Sequence, residues 1–457
     1  MRVLFVSAYE LGHQPVHVAS PAGRLREAGH DVAALDLSVE DYDPQRVAWA
    51  DAVAISAPMH TAMRLGLACA RRIREEQPAT PIAAYGVYAP VGSQHTLGSL
   101  VDTVYAGEYE HALRAWVDAL AAGASPAQAR SAGGELIQLG RGRDRFAVPA
   151  RDLLPAPLTY ARLVEGDDES VVGAVEASHG CKHRCRHCPL PAVYDGAFRV
   201  VDQASLLADV DQLVAAGIEH LTFADPDFLN GPRHALQLVE AIHARHPQLT
   251  FDATVKVEHI LAHRDVWPQL AGRGMKFVIS AVESLDDAIL QLLDKGHTAA
   301  DAGEAVHVLR QAGIEPRPTF LPFTPWSEVA TLNRIVDWVL AHDLVGNVDP
   351  IQLTIRLLVP EGSLLADEPS FAAHIQRYDA DALQWRWSHP DPAMDALQAD
   401  LEARVARATE AGEAPEATFA DLAGDIRRAA GRDAGDAAEI PTGSLGARPR
   451  MTEPWFC

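Results

Sequence analysis

Ser170-Val171-Val172-Gly173-Ala174-Val175-Glu176-Ala177, then Ser178-His179-Gly180, then Cys181-Lys182-His183-Arg184-Cys185-Arg186-His187-Cys188 is the stretch that decides how this chain is read. A short apolar run closed by a turn reads as a buried strand. The CxxxCxxC run behind it lets one loop wrap a single metal centre with three thiolates. Thiolates are soft ligands that suit zinc or an iron–sulfur cluster. Structural zinc normally takes four protein ligands, so a zinc reading must recruit His183, His187, His179 or a distant residue. A four-iron cluster on three cysteines leaves one iron open to a substrate or cofactor. Lys182, Arg184 and Arg186 are expected to keep the thiolates ionised and offset the cluster charge.

Working outward, the strand before the cysteines opens an αβ series. Further strands are expected at His220–Ala224, Thr250–Val257, Lys276–Ala281, Glu315–Pro322 and Ile351–Leu358, separated by helical stretches such as Asp202–Ala216, Arg233–Arg245 and Asp301–Ala312. Such repeats suit an open sheet or a barrel, complete or partial, and spacing alone leaves both open. Ahead of them, residues 1–125 alternate short apolar runs (Arg2–Ala8, Asp31–Leu37, Asp51–Ala57, Pro81–Val87, Asp102–Ala106) with helix-length segments. That pattern predicts a parallel sheet covered by helices on both faces, with ligands at the carboxyl ends of its strands. Residues 126–165 read as a Gly- and Pro-containing linker, 166–365 as the second αβ unit, 366–432 as a helical region and 433–457 as a mobile tail.

Composition narrows the classes. Apolar residues are 48% and charged residues 22% of 457, the balance of a globular chain without a membrane span. A net charge of -23 disfavours nucleic acid, whose binding depends on neutralising phosphates. The five cysteines are Cys69, Cys181, Cys185, Cys188 and Cys457, too few for a disulfide framework. With no signal-peptide pattern at the N-terminus, a cytoplasmic location is expected. Cys69 lies in a helical segment and is expected to fill core.

CxxxCxxC after the first strand of an αβ series resembles the radical S-adenosylmethionine (SAM) superfamily. The resemblance implies a partial (β/α)6 barrel and a [4Fe–4S] cluster on Cys181, Cys185 and Cys188. It also implies SAM on the fourth iron, cleaved reductively at a carbon–sulfur bond. His187 stands where the family usually has an aromatic. Asp225 and Asp227 in Phe223-Ala224-Asp225-Pro226-Asp227-Phe228 resemble the branch that carries cobalamin-type domains. So do Glu283-Ser284 with Leu293-Asp294-Lys295-Gly296-His297-Thr298, and Val359-Pro360-Glu361-Gly362-Ser363. By this resemblance Asp225, Asp227, Glu258, Glu283 and Ser284 surround SAM, and Lys256 meets its carboxylate. Asp225 capping a turn before Pro226 is the alternative.

An αβ domain ahead of such a barrel, with Gly107-Glu108-Tyr109-Glu110 near its end, is similar to cobalamin-binding radical SAM enzymes. The Asp-x-His-x-x-Gly motif that supplies a histidine to cobalt is absent, and His13 and His17 have another spacing. A domain that only packs on the barrel is the alternative. The opening Tyr9–Pro15 and Ala19–Ala22, with the ending Arg450–Cys457, resemble the radical SAM family named for a CCAEP or CUAEP tail. The chain stops at the first Cys of that motif, which raises the expectation of a UGA selenocysteine codon after Cys457.

The expected function is therefore that of a radical SAM enzyme, with Cys457 as a catalytic thiol. Cobalamin-assisted methyl transfer to a small molecule or peptide is the leading reaction. Its electron donor would be of the flavodoxin or ferredoxin kind, with no nucleic-acid or membrane partner. Aminocarboxypropyl transfer to a soft element held by tail cysteines, or a non-catalytic zinc or iron–sulfur protein, are the alternatives.

Overall fold

In the first third of the chain the apolar runs carry side chains that must be buried on both faces, and they form strands accordingly. They are β1 (Arg2–Ser7), β2 (Asp31–Asp36), β3 (Ala52–Ser56), β4 (Ile82–Tyr85) and β5 (Thr103–Gly107) of a computed structural model describing residues 1–138, 145–431 and 448–453. The ladder is parallel, in the order β2-β1-β3-β4-β5, with a two-residue β6 (Ile137–Gln138) at its edge. Alternation divides the strands between two cores. Leu4, Val6, Val53 and Ile55 face Leu67, Ala70 and Ile73 of the helix His60–Glu76. Val3, Phe5, Ala52 and Ala54 face Leu25, Leu113 and Trp116 on the helices Val16–Glu27 and Glu110–Ala121. Cys69 sits in the first core, as expected, and burial pushes its thiol up to about 11. Chain order reverses on either side of β1, so the crevice at the carboxyl ends lies beside the loop after β1.

The segment read as a linker is structured: the helix Pro126–Gly133, β6 and β7 (Arg162–Glu165) lie within it. Its Gly140–Asp144 piece falls outside the described residues. β7 pairs antiparallel with β8 (Asp168–Val175), and beyond the turn β9 (Ser178–Gly180) pairs with β10 (Phe198–Val200). β8 then continues in parallel through β11 (His220–Phe223), β12 (Thr250–Thr254), β13 (Met275–Glu283) and β14 (Glu315–Phe320). These five strands, curled into a half-barrel and backed by helices, confirm the α/β class.

The sixth expected strand, Ile351–Leu358, is corrected. Pro350–Leu353 is a 3₁₀ turn, and only one bridge, Phe323 to Arg356, continues the sheet. Pro350 lacks an amide for a ladder, and the Phe320 amide donates to Gln352 Oε1 at 2.9 Å instead of to a neighbouring strand. Where that strand would have stood, the chain end closes the gap. The two-residue β17 (Arg450–Met451) pairs with β7 at one edge of the sheet, while Pro449 accepts a bond from Arg317 of β14 at the other. Met451 packs among Leu163, Val172, Phe277 and Ile279.

The region after 366 is helical as expected at Pro392–Ala411 and Pro415–Ala429. It also contains an unforeseen hairpin, β15 (Ile375–Asp379) with β16 (Gln384–Trp387). Its alternating large residues bury Trp387 beside Phe371, and Leu383 at its tip enters the N-terminal core. Among the described residues no helix is long and apolar enough to cross a membrane. Cys457, Trp455 and Phe456 lie outside the described residues.

Candidate functional site

The cysteine loop leaves the carboxyl end of β8 and is held from several sides. Asp225, just past β11, accepts the Ala177 amide at 2.7 Å and the Ser178 hydroxyl at 2.6 Å. Burial pushes its carboxyl up to about 7, against those two bonds. Both its oxygens are thus committed to the turn before the cysteines. Asn230 accepts the Lys182 amide at 3.3 Å, lies 3.8 Å from Cys181 Sγ and donates to the Gly180 carbonyl. The backbone of Arg186 bonds to Leu293 and Leu365, and Ser363 of the Pro-Glu-Gly-Ser segment donates to its carbonyl at 2.9 Å.

Cys181 and Cys185 are buried and Cys188 is nearly so. The Cys185 thiol raises Cys181, and Cys185 and Cys181 raise Cys188, so the three thiols feel one another's charge. Burial pushes the Cys181 thiol up to about 11 and Cys188 up to about 12, so loading a metal must release protons.

The cations that offset this differ from those expected. Arg184 pairs with Asp195, Arg186 with Glu368 and the Leu292 carbonyl, and the Lys182 ammonium bonds to the Asn230 carbonyl. Lys256 lowers the Cys181 thiol instead, and Lys295 lowers Cys188. Lys295 is 3.2 Å from Glu283, whose other partner is His187 Nε2, also at 3.2 Å. Burial alone would raise the Glu283 carboxyl, but Lys295 and His187 hold it down to about 2. Glu283 adopts φ = 66° at an irregular register between β13 and β14. Such strain in a non-glycine residue persists where surrounding contacts over-determine it. Ser284, next to it, donates nothing to the cluster loop; its hydroxyl caps the Asp286 amide at 3.1 Å.

Lys256 and Glu258 meet at 3.5 Å at the mouth. Gly296 (φ = 76°) lets them approach: a Cβ there would stand 2.6 Å from Glu258 Oε2. Asp227 turns to His259, 2.7 Å away, and His183 of the cysteine loop lies 3.7 Å from it. The structure thus brings Glu283 to the cluster loop and Lys256 and Glu258 to the mouth, and gives Asp225 and Asp227 neighbours within the protein. Sequence reading missed Asn230, His259 and the weight of Lys295. His259 was signalled only by its place beside Glu258.

Between sheet and barrel lies a buried alternating chain of charge. Glu10 meets His17 at 2.9 Å, His17 meets Glu176 at 3.4 Å, and Glu176 meets His179 at 3.4 Å. His179 and Arg199 both hold Glu108 at 3.0 Å. Burial would discharge these imidazoles, yet Glu10 and Glu176 raise His17 to about 10, and Glu108 and Glu176 raise His179 well above its usual value. A cavity beside this chain, lined by Glu108, Tyr109, His111 and His179, has room for about one water, at about 10 Å³. Glu10 Oε2, at one end of this chain, is buried without a hydrogen-bond partner.

Residues 175–335, which hold the cysteine loop and the strands of the half-barrel after it, match the Radical SAM superfamily model. The chain is 24% identical over 315 residues to the hopanoid C-3 methylase of Methylococcus capsulatus, covering 66% of this chain and 59% of that protein. It is 21% identical over 150 residues to the hopanoid C-2 methylase of Rhodopseudomonas palustris, covering 32% and 28%. Among solved structures it is similar to the cobalamin-dependent radical SAM enzyme OxsB with aqua-cobalamin bound. There the TM-score is 0.68, with 14% identity over 88% of this chain and 66% of that one. It is also similar to the radical SAM methyltransferase TsrM from Kitasatospora setae with tryptophan and a SAM analogue, with TM-score 0.59, 19% identity and coverage of 75% and 71%. The chain thus spans less than two thirds of the length of the curated relatives it matches.

Proposed function

We propose that this chain cleaves SAM reductively at a [4Fe–4S] cluster held by Cys181, Cys185 and Cys188, and acts as a transferase on a small molecule or peptide. The observation that carries the reading is the cysteine loop at the carboxyl end of β8, within the stretch that matches the Radical SAM model and served by the buried Lys256 and Lys295. When bound, the cluster supplies the electron that breaks a carbon–sulfur bond of SAM. The chain's own residues do the rest. Asp225 and Asn230 fix the loop, and Lys295 offsets negative charge while holding Glu283 ionised. Lys256 offers an ammonium to a carboxylate at the mouth, and Glu258, Glu283 and Ser284 offer oxygens to the amino or hydroxyl groups of the same ligand. A protein donor of the flavodoxin or ferredoxin kind supplies the electron.

Methyl transfer is the reaction we favour, supported by the likeness to methylases. A cobalamin-assisted course is supported by the N-terminal sheet seated over the barrel, as in the OxsB fold. Membership of the CCAEP/CUAEP-tail family is likewise a proposal, supported by the Tyr9–Pro15 stretch.

Anaerobic reconstitution with iron and sulfide tests the reading. A brown protein that converts SAM to 5′-deoxyadenosine and methionine under dithionite supports it, and S-adenosylhomocysteine formed alongside supports methyl transfer. A colourless protein with stoichiometric zinc and no SAM turnover overturns it. Adding hydroxocobalamin during reconstitution, followed by gel filtration and a corrin assay, decides the cobalamin course.

A further inference from the structure

Three donors from three separate elements converge beside the cysteine loop without forming a satisfied hydrogen-bond set. His183 comes from the loop itself, Asp227 from the turn after β11, and His259 from the helix Val257–Ala262 after β12. Asp227 is fully buried, His259 is 4% exposed and the His183 side chain 15%. Buried polar atoms are normally paired, and an exception needs a cause. His259 Nδ1 and Asp227 Oδ2 are such an exception. They lie 2.7 Å apart, yet their geometry is not that of a hydrogen bond and each is without another partner. His183 Nε2 is 3.7 Å from Asp227 Oδ2 and 3.1 Å from His259 Nε2. One ligand atom from each of the three residues lies within 4.8 Å of the others, the only such group among the described residues.

We propose that His183, Asp227 and His259 form a second metal site, separate from the cysteine centre, for a divalent first-row transition ion. Metal–ligand distances of about 2.0–2.2 Å place neighbouring ligand atoms about 3 Å apart; with one atom from each residue already within 4.8 Å of the others, small side-chain rotations close the set around an ion. Two imidazoles and one carboxylate suit Zn²⁺ or Fe²⁺, and three protein ligands leave positions open to water or a small molecule, unlike a closed structural site. Glu258 completes the arrangement: its Oε2 lies 3.6 Å from His183 Nδ1, where a carboxylate orients the ring so that Nε2 faces the ion. The same ion would pin the cysteine loop to the ends of β11 and β12.

The test uses the full chain carrying Cys181→Ser, Cys185→Ser and Cys188→Ser, which removes the cluster and its colour, titrated with Co²⁺. We expect a single bound Co²⁺ with visible ligand-field bands and no thiolate charge-transfer band. Adding His259→Gln should abolish it, and adding Glu258→Gln, which removes the carboxylate behind His183 Nδ1, should weaken it by on the order of 10–100-fold. No Co²⁺ bound, or binding unchanged by His259→Gln, overturns the proposal and leaves a hydrogen-bonded tether. Should the triple variant not fold, zinc retained after dialysis is compared between the unaltered, cluster-loaded chain and its His259→Gln form. Equal zinc in the two overturns the site. SAM cleavage by the unaltered chain is scored separately, so this proposal and the cluster reading fail independently.

Discussion

Glu453 is fastened to Tyr9: the phenol donates to its carboxylate at 2.7 Å, and its side chain lies over Gly12, where a Cβ would come within 2.7 Å of Glu453 Cβ. The last described residues therefore bridge the barrel seam and the first loop of the N-terminal sheet. Gly12 has φ = 71°, so Gly12→Ala is both strained and obstructed. We expect it, and to a lesser degree Tyr9→Phe, to speed protease cleavage of the C-terminal segment while lowering global stability by only about 1 kcal/mol. Limited proteolysis with mass spectrometry reads the effect; unchanged cleavage would show that β17 alone holds the segment.

Arg151 is the charge whose removal should cost most. It is bidentate to Asp209 at 2.8 and 2.9 Å and donates to the Ala174 carbonyl of β8, with both side chains about 5% exposed or less. Asp209→Ala leaves a buried guanidinium unpaired, a change that typically costs about 3–5 kcal/mol. Chemical denaturation should show it, and a loss under 1 kcal/mol would mean the pair is hydrated in solution.

The charge chain between sheet and barrel predicts a pH window. Glu10 and Glu176 raise His17 from 6.5 to about 10 against burial, with Arg151 also facing them. Its contribution is whole below 6.5 and is lost as pH rises through about 10. Glu176 is depressed below its ordinary 4.5 by His17 and His179, so its contribution is whole above 4.5 and is lost on acidification. Stability from the seam should thus be greatest between about 4.5 and 6.5. In His17→Gln the decline in melting temperature between pH 7 and 10 should flatten. A decline as steep as in the parent would place the titration elsewhere.

Lys295→Met should impair the cluster without touching a cysteine. It strips Glu283 of its nearest cation, leaving a buried carboxylate on His187 alone, and removes the positive charge nearest Cys188. We expect a fall in iron incorporated per chain, and Lys295→Arg should restore part of it. Equal iron in Lys295→Met and the parent would show that Lys295 serves only Glu283.

Much of this was legible along the chain. Continuous apolar runs between helix-length segments announced the parallel sheet, because strands buried on both faces admit no polar alternation. Cys181, Cys185 and Cys188 pointed to a metal centre because their spacing is local. The Ile351–Leu358 run misled for a physical reason: it is apolar enough for a strand, but Pro350 and the Gln352 side chain take over the ladder positions. The hairpin at 375–387 was hidden because its aromatics pack against the chain's own loops and not in a repeating series.

By itself the sequence put three cysteines on one loop after a buried strand and so pointed to a soft-metal centre, because ligand chemistry and close spacing need no folding to be read. Only the tertiary structure decided which charges serve it. Lys182, Arg184 and Arg186 are neighbours in the chain, yet long side chains at a loop surface find partners outward, on Asn230, Asp195 and Glu368. Lys256 and Lys295, distant in the chain, are carried inward by the ends of β12 and the turn after β13, where low dielectric makes each charge count for more. The convergence of His183, Asp227 and His259 belongs to the same category: no spacing encodes it, because three separate elements must first be brought to one end of the curled sheet.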